Sequence, residues 1–167
     1  FIIGGAPRSA TTWLWQLLNR HPDAYMAEPV APEPKFFLID ELYDQGIEYY
    51  SRTWFASAPS GKVIGEKSTN YLESPAAAQR IFTHLPDVKL VFIFRNPVDR
   101  AFSNYLWTTM NGLETESFER ALEMEESRAQ ATPERLKYAR PYAYASRGFY
   151  HRMLLPYFDL FPRQNIL

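Results

Sequence analysis

Two rhythms of apolar residues run along the chain. Short apolar runs alternate with longer stretches in which apolar residues recur every three or four positions. The first pattern marks strands buried on both faces, and the second marks helices with one buried side. Phe1 to Gly5 (FIIGG) reads as a short buried strand. Thr11 to Arg20 reads as a helix with Trp13, Leu14, Leu17 and Leu18 on one side, stopped by His21-Pro22. Residues 27–34 (AEPVAPEP) hold three prolines and form a loop. Phe36 to Ile39 is a short apolar piece, and Gly46 to Trp54 suits a short helix. Lys62 to Glu66 is a second strand. A helix then runs from Ser74-Pro75 to about His84, with Ser74 as its cap. Val88 to Phe94 (VKLVFIF) is the strongest strand, apolar on both faces after Lys89. Pro97 opens a long helix through about Met110. Helices are also expected over Phe118 to Ala129, Pro133 to Ala139 and Phe149 to Phe161, the last with a kink at Pro156. Asn165 to Leu167 begins another strand.

Strands alternating with helices predict an α/β fold of the three-layer P-loop type, a mainly parallel central sheet flanked by helices. Ligands of such sheets bind at the carboxyl ends of the strands. Three polar segments fall there, after Gly5, after Glu66 and after Phe94.

Composition narrows the function classes. The 167 residues suffice for one domain, and 46% hydrophobic with 16% aromatic residues marks a folded chain. A net charge of −1 gives no electrostatic reason to expect nucleic acid as a partner. The absence of cysteine removes disulfides and thiolate metal sites. No apolar run approaches the ~20 residues of a membrane span. The chain begins and ends in strand-like sequence, so residues 1–167 are expected to be a domain incomplete at its C-terminus.

The loop after the first strand reads Gly5-Ala-Pro-Arg-Ser-Ala-Thr-Thr12. It keeps the first glycine and the last hydroxyl of a G-x-x-x-x-G-K-[ST] phosphate loop. Ala10 stands at the second glycine and Thr11 at the lysine, while the cation has moved to Arg8. Backbone N–H groups and the dipole at the start of the Thr11 helix favour a phosphate there, with Ser9, Thr11 and Thr12 as neighbours. An ordinary strand-turn-helix is the plainer alternative. A nucleoside triphosphatase would end its apolar strand in a magnesium-binding Asp. Here the strand VFIF ends in Arg95, which attracts a second anion, and Ser103 follows eight residues later. The pattern suggests a ligand with phosphates at two ends, bound without a metal. An Arg95–Asp99 ion pair with a merely packed Ser103 is the structural alternative.

APRSATTWL and VFIFRNPVDRAFSNY, about 85 residues apart, resemble the 5′-phosphosulfate loop and the 3′-phosphate motif of sulfotransferases. The resemblance continues through EPKFF, GEKSTNYL and RGFYHRMLLPYFDLFP, and looks closest to the carbohydrate (heparan sulfate type) branch and its bacterial relatives. It implies transfer of a sulfuryl group from 3′-phosphoadenosine 5′-phosphosulfate (PAPS) to a hydroxyl or amine, without metal, leaving 3′-phosphoadenosine 5′-phosphate (PAP). By this resemblance Glu33 is the general base, effective if burial raises its pKa. Arg8 steadies the 5′-phosphosulfate with Ser9, Ala10, Thr11 and Thr12 beside it, Lys67 faces the reacting centre, and Arg95 and Ser103 take the 3′-phosphate. Glu28 is a rival base. Ala10 in place of the family's glycine crowds the phosphate or demands a helical backbone, and Pro32 stands where a lysine often occurs.

The three histidines have no metal-site spacing. His84 and His21 read as helix-end residues and His151 as structural. Tyr142, Tyr144, Phe149 and Tyr150 read mostly as core, with Arg147 a candidate acceptor contact. The acceptor is expected to be a carbohydrate or small molecule and the compartment the cytoplasm, or the Golgi lumen for an animal protein. A P-loop small-molecule kinase and a catalytically impaired nucleotide-binding relative remain the competing readings.

Overall fold

Ile2 and Ile3 are almost wholly inaccessible to solvent and form, with Gly4 and Gly5, the central strand β1 (Ile2–Gly5). The computed structural model describes residues 1–134 and 137–167. They divide into two units, Phe1–Ile93 with Met153–Leu167, and Phe94–Arg152.

The first unit carries the sheet. Strands β2 (Ala24–Met26), β3 (Val63–Lys67) and β4 (Leu90–Phe92) join β1 in the order β2-β3-β1-β4, every pairing parallel. Ile2 is in register with Glu66 on one side and Leu90 on the other. Helix α1 (Thr11–Asn19) packs through Trp15 against Ile3 and Met26, with Leu14 and Leu18 beside it. The Trp15 indole N–H donates to the Ala27 carbonyl at 3.2 Å. Trp13 and Leu17, expected on the buried side, are 63% and 44% exposed instead. The buried side runs through positions 11, 14, 15 and 18, where helical spacing puts the sheet-facing stripe.

Helices α2 (Asp40–Tyr43) and α3 (Ile47–Phe55) follow the proline-rich loop. Helix α4 (Pro75–His84) starts as expected, Ser74 Oγ accepting the Ala77 N–H at 3.1 Å and Pro75 filling the first turn. The ladder of β4 covers only three residues of the expected run, and Ile93 N–H still donates to the Gly5 carbonyl. The expected last strand is a single bridge between Leu90 and Ile166. From Met153 onward, helix α8 (Tyr150–Leu160) closes this unit and runs through Pro156. Tyr157 packs edge-on against Phe92, and its hydroxyl donates to the Tyr71 carbonyl at 2.6 Å.

In the second unit, α5 (Pro97–Met110) is capped by Asn96, whose side-chain oxygen accepts the Val98 N–H at 2.9 Å. The helix expected over Phe118 to Ala129 is two, α6 (Phe118–Glu123) and α7 (Glu125–Ala131), parted at Met124. The helix expected over Pro133 to Ala139 includes Arg135 and Leu136, which lie outside the described residues. Ala101, Ala121 and Tyr144 form the core of this unit. Arg147 is buried there rather than offered to an acceptor, donating to Asn104 and to the Ala139 carbonyl. Burial pushes up the Glu114 carboxyl, but hydrogen bonds from Arg128, the Glu116 N–H and the Tyr144 hydroxyl outweigh it and bring it to about 2.

Candidate active site

Two strand ends of the first unit meet at the candidate site. Register sets Ile3 beside Lys67, so the loop leaving β1 lies next to the segment leaving β3. The approach is close. A methyl group on Gly5 would sit 2.7 Å from Leu72 Cβ and 3.1 Å from the Thr69 carbonyl oxygen, so the position has no room for a side chain.

Beyond Gly5 the loop turns through left-handed backbone at Arg8 (φ 66°) and Ala10 (φ 64°). Ala10 therefore occupies the conformation that glycine adopts freely, and a left-handed rather than helical backbone is what its position demands. The turn delivers the chain into α1 with no side-chain cap and no acidic residue in the first turn. The first N–H groups of a helix lack intrahelical partners, so this end offers donors to an anion. Ser9 is 3% exposed, and its hydroxyl has no hydrogen-bond partner among the described residues. Thr11 is buried at the first helical position, while Thr12 and Arg8 are exposed. An unpartnered buried hydroxyl beside an uncapped helix start suits an anion such as a phosphate.

Lys67, the last residue of β3, is buried and meets Glu33 from the proline-rich loop. Its Nζ lies 2.5 Å from Glu33 Oε1. Thr69 completes the cradle, its N–H donating to Glu33 Oε2 at 3.1 Å and its hydroxyl to Oε1 at 3.1 Å. Two expected site residues, 34 apart in sequence, are thus in direct contact. Glu33 is half-buried and ion-paired, not enclosed in an apolar pocket. Glu28, the rival base, is exposed and accepts from Asn19.

A second carboxylate, Glu66, has no solvent exposure. Its Oε1 accepts from the Tyr50 hydroxyl at 2.9 Å and the Tyr71 hydroxyl at 3.1 Å, and its Oε2 from Ser68 Oγ at 2.9 Å. Burial raises its pKa to about 7 against the pull of these three bonds, with a smaller push from the Glu33 charge. Alternation along a strand explains the division. Lys67 and Thr69 turn to Glu33, while Glu66 and Ser68 turn to the aromatic side. Glu66, Ser68, Thr69 and Tyr71 all lie in GEKSTNYL, but the motif alone assigns them no role; the polar run at the carboxyl end of a parallel strand is the signal that marks them.

In the second unit, Arg95 is exposed just before α5, and its carbonyl accepts from the Tyr150 hydroxyl at 2.9 Å. Ser103 is half-buried within α5. Among the described residues no ion pair joins Arg95 to Asp99. His84 accepts from or donates to the Tyr43 hydroxyl at 3.0 Å, and His151 is exposed on α8. Among the described residues, no helix is long and apolar enough to cross a membrane, and no group of three or more His, Asp or Glu is arranged to hold a metal ion.

Comparison with known proteins bears on this site. A family model described as the sulfotransferase domain matches residues 1–167. The membrane-associated sulfotransferase kil1 of Dictyostelium discoideum is 36% identical over 107 residues, 63% of this chain and 22% of that protein. Human heparan sulfate glucosamine 3-O-sulfotransferase 3B1 is 34% identical over 118 residues, 71% of this chain and 29% of that protein. The chain thus spans less than a third of the curated relatives it matches. A crystal structure of a sulfotransferase from Alicyclobacillus acidocaldarius superposes with a TM-score of 0.85 at 33% identity, over 100% of this chain and 70% of that one. With the parallel sheet, the uncapped loop after β1 and a match over every residue, the chain belongs to the sulfotransferase domain family.

Proposed function

We propose that the protein moves a sulfuryl group from PAPS to a hydroxyl or amine of an acceptor, with Glu33 as general base and a carbohydrate as the favoured acceptor class. The observation that carries this reading is the contact of Glu33 with Lys67 at 2.5 Å beside the anion-binding loop. The heparan sulfate relatives favour a carbohydrate.

PAPS supplies the sulfuryl group. The N–H groups at the start of α1, with Ser9, Thr11 and Thr12, bind the 5′-phosphosulfate through charge-assisted hydrogen bonds. Arg8 orients its oxygens, as a planar, permanently charged donor does. Glu33 takes the acceptor proton as the acceptor oxygen or nitrogen bonds to sulfur, and the bond from sulfur to the bridging phosphate oxygen breaks. Lys67 steadies the negative charge that collects on that oxygen. On the sequence motif alone, Arg95 and Ser103 are assigned to the 3′-phosphate.

Calorimetric titration of the full-length protein with PAP in EDTA tests the nucleotide assignment. Micromolar binding, weakened at least about ten-fold in Arg8→Ala and Arg95→Ala, is expected, since a charge-assisted bond contributes about 1.5–3 kcal/mol. No binding of PAP, with ATP bound once magnesium is added, would overturn it in favour of a kinase. Binding of PAP with no transfer to any of a panel of glycan acceptors would point to the impaired relative.

A further inference from the structure

Glu33 sits on a proline-rich loop, and such a loop needs fastening if its carboxylate is to meet a substrate in one geometry. Two backbone N–H groups just beyond Glu33 are bound by side chains. Lys35 N–H donates to Ser68 Oγ at 2.8 Å, and Phe37 N–H donates to the Tyr71 hydroxyl at 3.2 Å. Each of these hydroxyls in turn donates to the same carboxylate, Ser68 to Glu66 Oε2 and Tyr71 to Glu66 Oε1. A hydroxyl that accepts from an amide is held in one orientation when its own hydrogen has a fixed acceptor. Glu66 supplies that acceptor to both. Lys35 also has left-handed backbone (φ 51°), a costly conformation that a fastened loop can hold.

We propose that Glu66 is a positioning residue for Glu33: through Ser68 and Tyr71 it fastens the loop at Lys35 and Phe37 and so fixes the base against Lys67 and Thr69. Glu66 touches no substrate in this arrangement. Its effect is transmitted along two parallel relays, each one hydroxyl long. Tyr50, the third donor to Glu66, accepts from no backbone amide among the described residues and serves to satisfy the carboxylate. The inference rests on the reading of Glu33 as the base.

The test pairs amide hydrogen exchange with sulfuryl transfer in the full-length protein. Ser68→Ala is expected to speed exchange at Lys35 about ten-fold or more while leaving Phe37 slow, and Tyr71→Phe to do the reverse. Glu66→Gln places an amide NH2 against one of the hydroxyls and is expected to loosen at least one of the two sites. In all three variants kcat should fall at least about ten-fold while PAP affinity stays within about two-fold, as a misplaced base requires. Unchanged exchange at both amides in Glu66→Gln and in the single-relay variants overturns the proposal, and so does faster exchange with undiminished kcat. The relay variants decide the matter if Glu66→Gln does not fold. Full transfer by Glu33→Gln would sink the reading of Glu33 alone, because the exchange measurements need no substrate.

Discussion

Lys67 Nζ lies 2.5 Å from Glu33 Oε1, joining the end of β3 to a loop 34 residues earlier. With side-chain exposures of 5% and 14%, the pair is nearly withdrawn from water, so removing one partner strands the other. Lys67→Met is expected to cost on the order of 3 kcal/mol in urea unfolding. Adding Glu33→Gln should restore part of that, with a coupling of about 1–3 kcal/mol. A strictly additive cycle would mean that the contact carries no energy.

In transfer assays Glu33→Gln should lower kcat by about 10²- to 10⁴-fold, the usual contribution of a general base. Glu28→Gln should leave it unchanged, since Glu28 is engaged by Asn19 on the surface.

Ala10→Gly should stabilise the protein. A residue other than glycine in left-handed backbone costs about 1–2 kcal/mol, partly offset by the extra freedom glycine has when unfolded. A net gain of about 0.5 kcal/mol and a Tm rise of one to two degrees, roughly, is expected. Ala10→Val, with a branched Cβ at φ 64°, should lower Tm.

Glu66 makes stability fall as pH rises. Its folded pKa of about 7 exceeds its ordinary 4.5, so between those values the folded state binds the extra proton. That contribution is complete below pH 4.5 and is lost as pH rises through 7. From pH 5.5 to 8 it amounts to about 2 kcal/mol. The groups around it are Tyr50, Tyr71, Ser68 and the Glu33 carboxylate. Urea midpoints should show this slope in the wild type and a flatter one in Glu66→Gln.

Glu114 works with the opposite sign. Its folded pKa of about 2 lies below the ordinary 4.5, so its contribution is present above 4.5 and lost as pH falls toward 2. The Phe94–Arg152 unit should therefore loosen in acid, seen as a lower protection factor for the buried Ala121 amide below pH 4. Glu114→Gln should weaken this unit by about 2–3 kcal/mol at neutral pH and remove the acid transition.

The sequence announced the elements whose signals are local. β1, the loop after it, β3 and the Ser74-Pro75 start of α4 follow from apolar runs, glycine and capping chemistry within a few residues. β2 was missed because three residues, Ala24–Met26, are too few to show alternation, and only β3 makes them a strand. The stripe on α1 was misjudged because Trp13 and Trp15 are equally apolar, and only the sheet decides which is covered. Met124 parts α6 from α7 without proline or glycine to announce it. The motifs single out Glu33 and Lys67, but nothing local shows that the two touch. Glu66 was not, because a carboxylate inside a strand reads as solvent-facing until Tyr50 and Tyr71 arrive from distant segments.

The position of β1 between β3 and β4 has a consequence for the order of events during synthesis. β1 leaves the ribosome before either partner, roughly sixty residues ahead of β3 and roughly ninety ahead of β4. At ~5–20 residues per second, this apolar segment waits several seconds without a neighbour for its backbone. Thr69 and Leu72, which pack beside Gly5 at the start of the following loop, also arrive later. The loop after β1 is therefore translated early and packed late, and the nascent chain carries an apolar strand without β3 or β4 through the interval, the stage at which a chaperone would have most to grip.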